Sequence, residues 1–198
     1  HSRVRRQRQM CIRDSVPDKE TGSRAVPIYQ TTSYVFKDTD EAAALYNMEV
    51  GGHLYTRISN PTIATLEQRL ASLDGGVSCI ACSSGMAAMH LVVSAICSSG
   101  DHIVASNKMY GANINLLQHT MTRFGVKTDF VNPNDLEEIE KSIKPNTKLV
   151  FGEVIGNPGL DVMNVPEVAK ICKKKNVPLA IDACLLYTSD AADELSSV

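Results

Sequence analysis

The chain has 198 residues, 43% of them hydrophobic and 21% charged, with a formal net charge of -2 at pH 7. This length can bury a core, and the composition is ordinary for a globular protein. The charge balance gives no general attraction to nucleic acid. No apolar run approaches the roughly eighteen residues that read as a membrane span. The first residues are basic, but no apolar segment of a secretory leader follows them. The cysteines are Cys11, Cys79, Cys82, Cys97, Cys172 and Cys184. They sit in no loop-rich, secreted-looking setting, so reduced thiols and a cytoplasmic location are expected.

The two ends carry a separate signal. Arg5 to Asp14 reads RRQRQMCIRD, and Cys184 to Glu194 reads CLLYTSDAADE. One codon choice for the second peptide has a reverse complement that, read one frame over, encodes the first. Both strands of one sequencing-library adapter, translated on either side of an insert, account for the pair. Residues 1–15 and 183–198 are therefore expected to be non-native tails, and the native segment to run from about Val16 to about Asp182. The competing account is a basic nucleic-acid arm or transit peptide, which leaves the strand complementarity unexplained.

Val26 to Phe36 (VPIYQTTSYVF) is rich in β-branched and aromatic residues and predicts an extended segment. A short helix follows, capped by Thr39 or Asp40. Asn60-Pro61 opens a stronger helix with Ile63, Leu66, Leu70 and Leu73 on one face, and Gly75-Gly76 ends it. A short apolar strand over Cys79 to Ala81 leads into Ser83-Ser84-Gly85, and Met86, Met89, Val93 and Ile96 then recur at helical spacing. Strands are predicted at His102 to Ala105, Lys127 to Val131, Lys148 to Glu153 and Pro178 to Ile181. Helices are predicted at Ala112 to Phe124, Asn134 to Ser142 and Val165 to Lys175. Strands alternating with helices predict an α/β fold with a mainly parallel sheet. Helices then cover both faces, a three-layer α/β/α arrangement, and ligands collect at the carboxyl ends of the strands.

Several positions can carry chemistry there. Ser83-Ser84-Gly85-Met86-Ala87-Ala88, between strand and helix, fits a phosphate cup of backbone N–H groups and equally an ordinary helix cap with a tight turn. Arg57, in Tyr55-Thr56-Arg57, can grip a phosphate bidentately with Tyr55 donating a hydrogen bond, or can be a surface arginine ahead of a helix. Tyr110 can stack on a flat ligand or pack structurally. Asp182, at a strand end, can pair with a cationic ligand or cap a helix. Cys79-Ile80-Ala81-Cys82 has no second pair at zinc-like spacing and is expected to pack in a strand, with no metal. Lys173-Lys174-Lys175 reads as a solvated helix end. His53, His90, His102 and His119 show no ligand spacing and are expected to be structural.

The order of six segments carries a family resemblance: Ala25 to Phe36 (AVPIYQTTSYVF), Tyr55 to Thr62 (YTRISNPT), Ser83 to Ala88 (SSGMAA), Met109 to Leu117 (MYGANINLL), Gly152 to Val162 (GEVIGNPGLDV) and Pro178 to Asp182 (PLAID). Together they resemble the Cys/Met-metabolism group of pyridoxal-phosphate enzymes, across essentially all of Val16 to Asp182. Within that group the opening segment and the IGNPGLDV stretch are most similar to O-acetylhomoserine sulfhydrylases. Methionine γ-lyase and cystathionine γ-synthase or γ-lyase are close relatives.

The resemblance implies the large domain of the aspartate-aminotransferase-like fold (fold type I), truncated here to residues 61–182, with residues 16–60 as an N-terminal extended and helical arm. It implies pyridoxal 5'-phosphate as cofactor. Gly85 and Met86 would give backbone N–H groups to the phosphate, and Ser84 would also belong to the cofactor-binding set. Tyr55 and Arg57 would reach the phosphate of a neighbouring subunit, in a homodimer or homotetramer. Tyr110 would stack on the ring and help protonate the leaving group. Glu153 and Asn157 would lie near the ring, Asn157 close to its phenolic oxygen, and Asp182 would pair with the pyridinium nitrogen.

The implied reaction is γ-replacement on a small amino-acid substrate. The amino acid displaces a Schiff-base lysine from the cofactor aldehyde, protons leave Cα and Cβ, acetate leaves Cγ, and sulfide or a thiol adds there. At Asp182 the chain departs from the family. Asn-Thr should follow, but Ala183-Cys184-Leu185 does, and the family's Ser-x-Thr-Lys segment and its substrate-gripping arginine have no match. No turnover is expected from such a chain, and its uncovered sheet edge predicts aggregation. Two other readings stand beside this one: a non-catalytic α/β module that binds a different phosphate ligand through Ser83 to Met86, and a structural fragment whose motifs are caps and core.

Overall fold

The computed structural model describes residues 21–186. The predicted tail 1–15, and residues 16–20 and 187–198, lie outside the described residues. The chain divides into two compact units, the first through Ala81 and the second from Cys82.

In the first unit the predicted extended segment forms no sheet. Its one pairing is an isolated antiparallel bridge between Ser33 and Tyr55. Helix α1 covers Thr39–Tyr46. Its cap is Asp38, not Thr39 or Asp40, because Asp38 keeps an extended backbone from which its carboxylate accepts from the Glu41 N–H. Helix α2 covers Pro61–Asp74, with Asn60 as cap, Pro61 in its first turn and Gly75 at φ 67° closing it, as the sequence predicts. Asn60 Nδ2 donates to the Tyr29 carbonyl at 2.9 Å, and Thr62 Oγ1 donates to the Pro27 carbonyl at 3.0 Å. These bonds tie the extended segment to the start of α2. The predicted face of Ile63, Leu66, Leu70 and Leu73 is exposed.

Cys79 to Ala81 is not a strand. A three-residue run makes a ladder only beside an open partner, and the Ala81 N–H instead donates to the Glu67 carboxylate at 2.8 Å. The predicted packing role of the cysteine pair fails with it, since Cys82 is exposed and Cys79 half-buried.

Among the described residues the second unit is built on four strands: β1 His102–Ser106, β2 Lys127–Val131, β3 Thr147–Glu153 and β4 Leu179–Asp182. All pairings are parallel, in the order β2-β1-β3-β4. The helices are α3 Gly85–Ile96, α4 Gly111–Asn115, α5 Met121–Arg123, α6 Leu136–Ser142 and α7 Val165–Lys175. A π-helical turn, Leu116–Thr120, joins α4 to α5. The helix predicted over Ala112 to Phe124 is therefore interrupted.

Alternation along β1 and β3 sorts the core into two layers. Ile103, Ala105, Leu149 and Phe151 pack with Met89 and Val93 of α3 and with Leu116, Leu117 and Met121. Val104 and Val150 face the other side, with Ile139 of α6 and Val168 and Cys172 of α7. Fully burying each such aliphatic side chain contributes about 1.5–3 kcal/mol. The fold is thus the predicted three-layer α/β/α with a parallel sheet. Burial pushes the Cys172 thiol up to about 11, which keeps it a packing residue.

The N-terminal edge of the sheet holds a closed polar network. His102, buried at the start of β1, shares a hydrogen bond with Thr147 Oγ1 at 2.8 Å, and its Nε2 lies 3.3 Å from Asp129 Oδ2. Lys144 pairs with the same Asp129 oxygen. Burial, reinforced by Lys144, lowers the His102 pKa from 6.5, against a weaker pull upward from Asp129. Folded His102 thus binds a proton less readily than unfolded His102. Its stabilising contribution is complete above 6.5 and is lost as the pH falls from there toward the folded value. Urea unfolding of wild type is expected to weaken on acidification below pH 6.5, and His102→Gln is expected to flatten that dependence. Parallel curves for the two proteins would remove His102 as the cause.

Candidate active site

The carboxyl ends of the strands open onto a cavity of about 310 Å³. Its lining includes Ser84, Gly85 and Met86 at the start of α3, Tyr110 and Asn113 around the start of α4, Glu153 and Asp182 at the ends of β3 and β4, and Asn157 in the turn after β3. Ile155, Cys184 and Leu185 complete it.

On one side stands the α3 N-terminus. Ser84 has extended backbone, and its hydroxyl accepts from the Ala87 N–H at 3.1 Å. The N–H groups of Gly85 and Met86, at the first two helical positions, have no intrahelical acceptor. A Cβ built on Gly85 would meet nothing within 4 Å, so the space before these donors is open. The arrangement suits an anion.

On the other side stand two acids. Glu153 and Asp182 are register partners across β3 and β4, which brings the two side chains together. Glu153 is buried, at 6% exposure. Its Oε1 accepts from the Tyr110 N–H at 2.7 Å and from Asn113 Nδ2 at 3.1 Å, and its Oε2 accepts from the Asn157 N–H at 3.3 Å. Burial raises its pKa from 4.5, Asp182 adds to the rise, and the three donors oppose it. Asp182 Oδ1 accepts from the Cys184 N–H at 2.9 Å.

Tyr110 caps α4 with its backbone held by Glu153 and its side chain half exposed. The turn carrying Asn157 approaches the Tyr110 loop closely. A Cβ on Gly156 would overlap the Lys108 carbonyl oxygen, so only glycine lets the two segments touch.

Seven of the predicted positions, Ser84, Gly85, Met86, Tyr110, Glu153, Asn157 and Asp182, thus meet at one cavity. Tyr55 and Arg57 belong to the first unit and are not among its lining. There the Arg57 guanidinium sits 5.2 Å from the centroid of the Tyr55 ring. Asn113 was missed by the sequence reading. The available signal was a polar, helix-disfavouring residue on the turn directly after Tyr110. Cys184 and Leu185, read as tail, also line the cavity.

A parallel sheet between helix layers, with an anion-ready helix start and a pair of acids at its carboxyl edge, suits a ligand that carries a phosphate. A family model described as "Cys/Met metabolism PLP-dependent enzyme" matches residues 9–189, and the chain belongs to that family. It is 46% identical over 166 residues to the O-acetyl-L-homoserine sulfhydrylase of Leptospira meyeri, a match that takes in 84% of this chain and 38% of that protein. A solved structure from Campylobacter jejuni, which contains N'-pyridoxyl-lysine-5'-monophosphate, superposes with a TM-score of 0.81 at 39% identity, over 83% of this chain and 41% of that one. Cystathionine γ-lyase from Lactobacillus plantarum, complexed with L-serine, superposes with a TM-score of 0.75 at 31% identity, over 84% and 41%. The chain therefore spans about two fifths of the length of these relatives.

Two outcomes test the site's construction. Folded Glu153 holds its proton more tightly than unfolded Glu153. Its contribution to stability is present below the ordinary value of 4.5 and lost as the pH rises through the raised folded value. Glu153→Gln should therefore gain on wild type in urea unfolding as the pH rises from 4.5 toward neutral, whatever its absolute level. A constant difference across that range would show that Glu153 does not titrate differently in the fold. Gly156→Ala is expected to cost about 1–3 kcal/mol, as forced overpacking does. An unfolding midpoint equal to wild type would mean the two segments can separate freely.

Proposed function

We propose that this chain is the cofactor-binding part of a pyridoxal 5'-phosphate-dependent γ-replacement enzyme, which makes homocysteine or methionine from O-acetylhomoserine and sulfide or a thiol. One observation carries the reading. A single cavity has free helix N–H donors on one side and paired carboxylates with no lining cation on the other, among the described residues. Pyridoxal phosphate has the matching poles, a phosphate dianion and a ring nitrogen that can carry a proton.

In this reading Gly85 and Met86 donate backbone N–H groups to phosphate oxygens, while Ser84 keeps its hydroxyl on its own helix. Asp182 accepts the ring N–H through a charge-assisted hydrogen bond. Tyr110, in the cavity lining, would hold the ring and move a proton at the leaving group. Asn157 lies toward the ring's phenolic oxygen, its backbone held by Glu153. When bound, the cofactor supplies an electron-withdrawing ring that takes up charge from the substrate. Tyr55 and Arg57 act on the phosphate of a second copy of the chain, in a homodimer or homotetramer, where the guanidinium fork gives bidentate contact. The tails 1–15 and 183–198 are foreign to the enzyme, so Cys184 and Leu185 stand where the family has other residues.

A second reading keeps the cofactor and changes the outcome to γ-elimination or cystathionine formation. The likeness to a solved cystathionine γ-lyase supports it.

No lysine lines the cavity among the described residues. Pyridoxal phosphate is therefore expected to bind this 198-residue polypeptide without covalent attachment there, and borohydride treatment to leave no pyridoxyl-lysine in a cavity peptide. The polypeptide is expected to form no homocysteine from O-acetylhomoserine and sulfide. Asp182→Ala should weaken binding about tenfold, the worth of one charge-assisted hydrogen bond. Gly85→Ala should lower affinity with little change in stability, because its Cβ meets no protein atom. Equal affinity for adenosine monophosphate would instead favour a general phosphate-binding module.

A further inference from the structure

Asn113 is 1% exposed, and the family resemblance assigns it no role. Its Nδ2 donates to Glu153 Oε1 at 3.1 Å and to Asp182 Oδ2 at 3.3 Å. The amide carries two N–H donors, so each carboxylate can take one of them. The reverse orientation would set the amide oxygen against two acids, which fixes the donor end toward them.

The need for such a group follows from the register. Glu153 and Asp182 are neighbours across β3 and β4, where like charges repel. The groups that face them are few. Glu153 has the Tyr110 and Asn157 backbone N–H groups, and Asp182 has that of Cys184. The Tyr110 phenol is half exposed, Ser84 is engaged with its helix, and among the described residues no cation lines the cavity. Asn113 is the one side chain hydrogen-bonded to both acids among the described residues. It sits on α4, directly before the π-helical turn whose Leu116 and Leu117 anchor in the core. π-Turns concentrate at functional sites, where they re-aim neighbouring side chains.

We propose that Asn113 is a positioning residue whose amide spans Glu153 and Asp182 and fixes the direction in which the Asp182 carboxylate faces the cavity. It acts through the two acids. Only the consequence for binding rests on the pyridoxal-phosphate reading.

The first test uses the wild-type full chain, labelled for NMR. The Asn113 side-chain N–H resonances are expected to exchange slowly with water and to shift as the Glu153 carboxyl carbon titrates. Exchange as fast as that of an exposed asparagine, or no response to that titration, overturns the proposal without any variant. The second test uses Asn113→Leu, close in size and without donors. Glu153 is then expected to titrate at higher pH than in wild type, and pyridoxal 5'-phosphate to bind about tenfold more weakly. Unchanged Glu153 titration in a folded Asn113→Leu protein also overturns the proposal. If Glu153 moves as expected but neither protein binds pyridoxal 5'-phosphate, the positioning role stands and the cofactor reading falls.

Discussion

The buried Glu153 carboxylate is the constraint on which the site depends. It closes β3 and reaches two other segments at once, taking the Tyr110 backbone and the Asn113 side chain of one and the Asn157 backbone of the other. A buried charge with fewer partners would cost several kilocalories per mole, so these donors are bound to it as firmly as it is to them. Tyr110 and Asn157 are far apart in sequence, and no regular ladder joins their loops. The acid does that work, helped by the close backbone contact that Gly156 permits. The cavity's shape is therefore a consequence of one side chain's demand for hydrogen bonds.

Much of this was legible in the sequence, for identifiable reasons. The β1 and β3 strands were plain because their apolar residues are buried, and the α7 helix because Val165, Val168, Ile171 and Cys172 recur at helical spacing. Asn60-Pro61 and Gly75 marked the ends of α2 through local backbone chemistry that no tertiary contact needs to rescue. Cys79 to Ala81 misled because an apolar run says nothing about whether a partner strand lies beside it. The interruption at Leu116 was invisible because a π-turn keeps leucines buried as an unbroken helix would.

The site divides along the same line. Gly85 and Met86 sit at a helix start and Asp182 at a strand end, places that local sequence marks. Motif order was enough to bring them to one cavity. Asn113 was not readable because its role exists only through residues 40 and 69 positions away. A lone asparagine in a short helix carries no sign that two acids converge on it. Tyr55 and Arg57 are not among the cavity's lining, and the bonds that hold their segment lie within the first unit.

The two edges of the sheet differ in how completely their polar groups are matched, and the difference locates function. At the N-terminal edge His102, Thr147, Asp129 and Lys144 satisfy one another, and opposite charges are present in the same cluster. Nothing further is required there. At the carboxyl edge two acids share neutral donors, no cation lines the cavity among the described residues, and burial holds one acid's pKa high. Helix N–H groups across the same cavity lack intrahelical acceptors. The acids are short of positive charge and the helix start is short of negative charge. Water can serve each in part, but a ligand carrying a cation at one end and an anion at the other serves both in one binding event. The unmatched edge is thus selective before any substrate arrives, because it rewards a ligand with two poles over one with either pole alone.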